Sequence, residues 1–372
     1  MTSLGFLVDQ LFANVPGGMG TYVRELVPAL SRAEPSLEVT LFHSRFAKGA
    51  PEEWMSQYTV QELPWPIRRL YPSWSVTRRP SLPPPLDSID IIHSPVPAAV
   101  PPKARSQRLV VTVHDIAFVV YPRLYPVQWR MAYRAGLFRA VREADAIITP
   151  SRHTAEDIMR RTRTPAGRIH AVPLAASLPL RTTDVEETLA RLKVRSPYVL
   201  FVGTLEPRKN IVRLVRAYRR LASRGAPHTL VLAGPMGWHH QALMRELAME
   251  APGEVVLTGT TSMEDLDALY RGATLMVYPS LYEGFGLPVL EAMARGIPCV
   301  ASIASSLPEV AGEAALPVDP RSVGALADAM ERIINDRDLA DRLSKAGRAR
   351  ASRFSWEETA RRTLEVYKRA MA

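Results

Sequence analysis

One cysteine, Cys299, stands in 372 residues, so no disulfide can form within the chain. Its place in the apolar stretch 297–301 reads as a buried small hydrophobe, and a reducing compartment is the natural setting. Long apolar runs are missing too. The stretch 109–120 is broken by His114 and Asp115 and falls short of the about 18 residues that a spanning helix needs. The first nine residues show no basic segment ahead of a long apolar core, so no secretory signal is expected. The protein is expected to be cytoplasmic, able to sit at the inner face of a membrane but not to cross it.

Dense basic runs interleaved with aromatics are also lacking. Arginine is spread through helical stretches such as 130–142 and 337–353, and no nucleic-acid partner is expected. His153 and the His239, His240 pair are read as having no acidic or thiol partners, so no metal set is expected. What is present is a basic surplus, 47 Lys plus Arg against 37 Asp plus Glu, which suits an anionic partner. Hydrophobic residues make up 47% and charged residues 23%, the balance of a packed globular protein. At 372 residues the chain exceeds the roughly 250 to 300 at which one core stops growing, so two domains are expected.

Short β-branched runs at 4–8, 39–42, 89–93, 109–113 and 146–149 read as buried parallel strands, with helical spacing at 21–32 and 129–143. After a polar stretch at 173–184, read as a linker, a second series begins. Its strands are 198–203, 229–233, 255–257, 275–278 and 299–301; its helices are 210–224, 240–249, 263–270, 288–294 and 323–335. Alternating strands and helices imply a doubly wound α/β sheet in each half. The segment 67–85, rich in Pro, Arg, Trp and Tyr, reads as a long loop: either an acceptor-side or membrane-facing element, or a variable surface excursion. Pattern alone does not say which half the last helix, 356–371, packs on.

Four places carry candidate chemistry. The first is 278–290, YPSLYEGFGLPVL, followed by Glu291. A strand ends in a glycine loop, and Pro288 stands where a helix begins, so the backbone of Gly284, Phe285, Gly286 and Leu287 offers an anion cradle. Glu283 and Glu291 frame it, one placed to take a sugar and the other a ribose through paired hydroxyls. The alternative is two solvated acids helped by the helix dipole. The second is 201–211, FVGTLEPRKNI: a strand, the Gly203 turn, then Glu206, Arg208 and Lys209 before a helix that Asn210 is placed to cap. Arg and Lys at a strand end match a diphosphate and would stabilise charge on a departing nucleotide, unless they form only a solvated basic turn.

The third is PGGMGTY at 16–22, where Gly17, Gly18 and Gly20 form either a second phosphate or sugar cradle or merely a flexible turn. It has neither dinucleotide-fingerprint spacing nor a Walker lysine. The fourth is VTVHD at 111–115, with His114 placed to orient a sugar and Asp115 to bind or deprotonate an acceptor hydroxyl; a structural histidine is the alternative.

At Glu206–Asn210 together with Glu283–Glu291, the chain resembles the retaining glycosyltransferases of family 4, of the two-Rossmann GT-B architecture. SSLPEVAGEAALPVDP at 305–320 and ITPSRHTAED at 148–157 extend the likeness, and its details are most similar to bacterial mannosyltransferases of O-antigen or other polysaccharide synthesis. The likeness implies two Rossmann-like domains facing a cleft: an acceptor domain at 1–178, with the last helix 356–372 returning to it, and a donor domain at 179–355. It implies that Arg208 and Lys209 hold the pyrophosphate, Glu291 the ribose and Glu283 the sugar hydroxyls. Gly17 and Gly18 would approach the phosphates, His114 would lie under the reacting sugar, and the nucleotide base would lie near the loop Gly234–Trp238 and the turn Gly259–Ser262. No protein nucleophile is implied, Glu283 acting as an orienting group. The expected donor is a nucleotide-diphosphate sugar, GDP-mannose by likeness, used as substrate with no cofactor or metal; the expected acceptor is a glycan or lipid-linked hydroxyl. Two rivals stay open: a nucleotide-sugar epimerase or hydrolase of the same fold, and a non-catalytic sugar-nucleotide binding protein.

Overall fold

The computed structural model describes residues 2–13, 17–45, 52–177 and 183–372. They fall into two units, Met1–Leu174 with Ser355–Ala372, and Ala175–Phe354. The division comes after Leu174, earlier than the expected 178; within the expected linker, residues 178–182 lie outside the described ones, as does Pro16 of the PGGMGTY motif.

In the first unit seven parallel strands form one sheet: β1 (Ser3–Leu7), β2 (Glu38–Arg45), β3 (Thr59–Pro66), β4 (Ile91–Ser94), β5 (Arg108–Thr112), β6 (Ala146–Thr149) and β7 (Ile169–Ala171). Their order is β3-β2-β1-β4-β5-β6-β7. The second unit holds β8 (Tyr198–Val202), β9 (Thr229–Ala233), β10 (Val255–Gly259), β11 (Leu275–Tyr278), β12 (Cys299–Ser302) and β13 (Leu316–Val318), ordered β10-β9-β8-β11-β12-β13. Every residue of β4, β6, β8, β9, β11 and β12 is buried, as strands covered by helices on both faces must be. In each sheet the strand order reverses once, between β1 and β4 and between β8 and β11, and at that point open α/β sheets place their ligands beyond the carboxyl ends.

Three strands escape the sequence pattern, β3, β7 and β13, and all are sheet edges. Two of them are three residues long, and β3 carries Pro64 and Pro66, tolerable only where no neighbour needs the missing N–H. The expected long loop at 67–85 is a helix over its first part, Ile67–Val76, with Pro72 in its interior. Trp74 is buried there and donates through Nε1 to the Pro80 carbonyl at 3.0 Å, so the aromatics of this segment serve packing.

The last helix, Trp356–Met371, belongs to the first unit and is capped by Ser355, which accepts from the Glu358 N–H at 3.1 Å. It packs on the helix Gly17–Ala33, with the Trp356 and Tyr22 rings 6.5 Å apart. Beneath them runs a buried polar chain. The Tyr22 hydroxyl lies 3.0 Å from Thr112 Oγ1, His93 Nε2 lies 2.8 Å from that same oxygen, and His93 Nδ1 lies 2.5 Å from the Tyr367 hydroxyl. Desolvation dominates the electrostatics of this chain: burial pushes the His93 pKa down to about 3 and the Tyr367 pKa well up.

The neutral His93 fixes an acid sensitivity. Its folded pKa lies below its unfolded one, so its contribution is complete above about pH 6.5 and is lost as pH falls toward 3. Within that window His93 should cost about 1.4 kcal/mol of stability per pH unit. Urea midpoints between pH 7 and 5 should fall less steeply in His93→Gln than in wild type; equal slopes would remove His93 as the source.

Candidate active site

In the second unit the reversal point brings the two strongest motifs together. β8 runs into Gly203 and a short 3-10 turn, Pro207–Lys209, while its neighbour β11 runs into residues 279–286. The Leu281 N–H donates to the Arg208 carbonyl at 2.9 Å and joins the two loops. Four charged side chains meet there. Arg208 donates to Glu206 Oε1 through Nε at 3.0 Å and Nη2 at 2.6 Å, and through Nη1 to Glu283 Oε2 and the Tyr282 carbonyl, each at 2.8 Å. Lys209 Nζ donates to Glu283 Oε1 at 2.7 Å and to the Tyr278 hydroxyl at 2.5 Å. Glu206, Lys209 and Glu283 are all buried.

Two carboxylates against two cations leave the cluster formally neutral, which lets it exist out of water. Burial would raise the Glu283 pKa, but the charges of Arg208 and Lys209 outweigh it and hold the carboxyl down at about 2. The Lys209 pKa is lowered by burial against the opposing pull of Glu283. With both oxygens engaged and its proton lost, Glu283 is a poor nucleophile and a poor acid. Glu206 Oε2, by contrast, is buried with no hydrogen-bond partner among the described residues. An orphaned carboxylate oxygen beside an arginine is costly and calls for a donor from a ligand or water.

The glycine loop has the expected form. Gly286, at φ +112, precedes the helix Leu287–Ala294 and turns the chain where an L side chain would be strained, and Pro288 occupies the first turn. Two serines clamp this loop: the Glu283 N–H donates to Ser305 Oγ at 2.7 Å, and Ser306 Oγ donates to the Glu283 and Phe285 carbonyls at 2.9 and 3.0 Å. Glu291 is held separately. The Tyr270 hydroxyl donates to Glu291 Oε2 at 2.9 Å, and the Arg295 guanidinium lies 4.8 Å over the Tyr270 ring while donating to Asp267 at 2.7 Å. Ser305, Ser306 and Tyr270 were not singled out in the sequence; the first two lie in the 305–320 stretch that carries the family likeness, whereas nothing local marks Tyr270. Gly234 passes so near the Gly203 carbonyl that a Cβ would stand 2.3 Å from its oxygen, which keeps the ends of β8 and β9 together.

Some expectations need correction. Asn210 stands at the start of the helix Ile211–Ser223 but caps nothing with its side chain: it is left-handed at φ 64, and Nδ2 donates to the carbonyls of Pro279 and Pro320 at 3.0 and 2.6 Å. Its role is to stitch β11 and β13 loops to the Arg-Lys turn. Gly17 and Gly18 are not a turn ahead of a helix starting at 21; they are exposed in the first turn of Gly17–Ala33. His153 does have an acidic partner, Asp157 Oδ2 at 3.4 Å one turn along its helix. Among the described residues no group of three or more His, Cys, Asp or Glu stands together as a metal would require.

The first unit places His114 and Asp115 just past β5, beside the strand β4 that borders its own reversal point. Asp115 Oδ1 accepts the Ala117 N–H at 2.9 Å. His114 packs edge-on to Tyr22, centroids 4.9 Å apart, and its Nε2 is buried without a hydrogen-bond partner among the described residues. Burial, against a hydrogen bond with the Pro95 backbone, pushes its pKa down to about 4, so the ring is neutral at pH 7.

This arrangement has known counterparts. The model of Glycosyltransferase Family 4 matches residues 16–178, and that of Glycosyl transferases group 1 matches residues 186–350. O-antigen chain mannosyltransferase B of Escherichia coli is 35% identical over 270 residues, 71% of this chain and 71% of that protein. A D-inositol 3-phosphate glycosyltransferase of a Nocardioides species is 31% identical over 257 residues, 64% of this chain and 56% of the other. Sucrose-phosphate synthase from Thermosynechococcus elongatus shares the fold, with a TM-score of 0.73 over 99% of each chain at 24% identity. Two Rossmann-like sheets and these matches define a glycosyltransferase of the GT-B kind. The chain belongs to glycosyltransferase family 4, with a group 1 second half, and has mannosyltransferases among its relatives.

The buried cluster should behave as a unit. Glu283→Gln leaves a surplus buried cation and should cost about 3–5 kcal/mol, whereas Glu283→Gln with Lys209→Met removes one charge of each sign and should cost less than the two single changes summed. Urea unfolding of the four proteins in this cycle measures it; additive costs would mean that the pair is not coupled.

Proposed function

We propose that the chain transfers mannose from GDP-mannose to a hydroxyl of a glycan or lipid-linked acceptor, with retention at the anomeric carbon and without a metal ion. The observation that carries the reading is the largely buried cluster of Glu206, Arg208, Lys209 and Glu283 at the β8/β11 reversal point, with Glu291 in the helix that follows the glycine loop. Here the second unit is the donor half and the first, with its returning helix, the acceptor half.

A bound donor would exchange the internal partners for its own groups. Its diphosphate would draw on Arg208 and Lys209 and on the backbone of Gly284–Leu287, its sugar hydroxyls on Glu283, its ribose on Glu291, and its base would lie by Gly203 and Gly234. The two cations would stabilise charge on the leaving nucleotide, the work that elsewhere falls to a divalent metal. Glu283, doubly hydrogen-bonded and ionised, orients the sugar and does not attack it, which is consistent with front-face displacement assisted by the leaving phosphate. The neutral, part-buried His114 would contact the transferred sugar, Asp115 would bind the acceptor hydroxyl, and Gly17 and Gly18 would approach the phosphates. Mannose is preferred because O-antigen chain mannosyltransferase B is so named; the D-inositol 3-phosphate glycosyltransferase among the relatives makes the donor the point to test. The basic surplus favours work beside an anionic membrane on the cytoplasmic side.

Thermal unfolding with GDP-mannose, UDP-glucose, UDP-N-acetylglucosamine and the free nucleotides, all in EDTA, tests the donor. GDP-mannose should stabilise wild type by about 2.7 kcal/mol at roughly a hundredfold excess over Kd and should leave Lys209→Ala unmoved. No shift with any donor would sink the reading, and a shift for UDP sugars alone would replace the donor. Tyr270→Phe removes the hydrogen bond that aims Glu291 and should weaken nucleotide binding about fivefold in calorimetry. Unchanged affinity there would detach Glu291 from the ribose.

A further inference from the structure

Large apolar side chains exposed on the first unit gather on one helix, Val127–Glu143. Its Val127, Met131 and Phe138 are 59%, 64% and 52% exposed, and Trp129 in the first turn is 52% exposed. Positions 127, 131, 134, 138 and 142 follow one line along a helix, so Val127, Met131, Arg134, Phe138 and Arg142 form a single outward stripe. The opposite side is anchored: Gly136 lies so close to the chain that a Cβ would stand 1.9 Å from the Pro97 carbonyl oxygen. Val76, 73% exposed, ends the neighbouring helix, and Arg139 donates to the Ser75 carbonyl at 2.6 Å, tying the two helices together.

The stripe runs into a basic depression. Arg142, whose guanidinium lies 5.1 Å over the Phe138 ring, lines it with Lys103, Arg108, Arg168 and Arg369. Its two acids are already engaged: Asp145 takes Lys103 and the Leu109 N–H, and Glu143 takes Arg78 and Arg139. Among the described residues Arg108, Arg142 and Arg369 show no carboxylate partner, so the depression presents uncompensated positive charge. Apolar and aromatic groups interleaved with arginines, with no acid on the stripe, suit the boundary between acyl chains and anionic headgroups: the rings and methyl groups enter, while the guanidinium groups meet phosphate.

We propose that the helix Val127–Glu143, with the basic depression at its end, is the surface by which this protein docks on an anionic phospholipid membrane. The inference deepens the membrane contact proposed above and moves it off the 67–85 segment, where Trp74 is buried and Arg78 is held by the carbonyls of Trp74, Val100 and Pro101 and by Glu143.

Flotation with phosphatidylcholine vesicles, with and without about 30% phosphatidylglycerol, tests it at low salt, where such attraction is screened least. Wild type should float with the anionic vesicles only. Met131→Ser/Phe138→Ser and Arg134→Glu/Arg142→Glu should each weaken partitioning by about tenfold or more. Met244→Ser/Met249→Ser, exposed methionines of the second unit, should leave it unchanged. The stabilisation by GDP-mannose should survive in every variant, so loss of flotation is separable from failure of the transferase reading. The proposal is overturned if wild type does not float, if the patch variants float as well as wild type, or if glycerol phosphate stabilises the protein while vesicles do not capture it, which would make the depression a small-anion site. It is overturned equally if the patch variants alter self-association or protein capture and leave vesicle binding intact, which would make the stripe a protein interface.

Discussion

Two buried carboxylates, a buried lysine and a part-buried arginine at the ends of adjacent strands set the terms for the second unit. Glu283 sits between Lys209 and Arg208, and Arg208 reaches on to Glu206, so no member can move without leaving a charge uncompensated out of water. Such a cluster is an expensive way to hold two loops together, since apolar contacts would do it at lower cost. Its value lies in what it can release. Charge that is balanced internally can be rebalanced against a ligand, and a Glu206 oxygen without a hydrogen-bond partner among the described residues marks one place where the internal balance is incomplete.

Much of the surrounding structure exists to keep that cluster in register. Asn210 spends its side chain on two carbonyls of other loops, Ser305 and Ser306 fasten the backbone on both sides of Glu283, and the Gly203 and Gly234 turns lie against each other. Glu291 is aimed by a hydroxyl that is itself packed under an arginine. Rigid support of this kind is what a site needs if geometry, and not a flexible search, is to set its chemistry.

The first unit solves a different problem. Its buried polar chain is built of neutral groups, running from Tyr22 through Thr112 and His93 to Tyr367, and binds a helix 274 residues distant from β4 into the core. Neutral hydrogen-bonded groups avoid the desolvation cost of charges yet still specify one docking geometry for the returning helix. His114 ends up with a neutral ring beside this chain, its Nε2 without a hydrogen-bond partner among the described residues.

The sequence by itself determined the fold class, the central strands and the residues of the cluster. Buried parallel strands read as continuous apolar runs, and the EPRKN and EGFGLP turns carry their chemistry in consecutive residues. What it could not carry was anything set by distant partners. The edge strands β3, β7 and β13 are short or proline-bearing, and only their neighbours make them strands. Asn210 looked like a cap because a cap is local, whereas its partners lie 69 and 110 residues away. Arg208 and Lys209 looked like open phosphate ligands until the fold set Glu283 between them. Trp74 looked like a surface aromatic and is buried, while Phe138, with the same helical spacing as a core residue, is exposed. Periodicity tells which residues share a face; only tertiary packing decides what that face meets, because burial is a property of the surroundings and not of the residue.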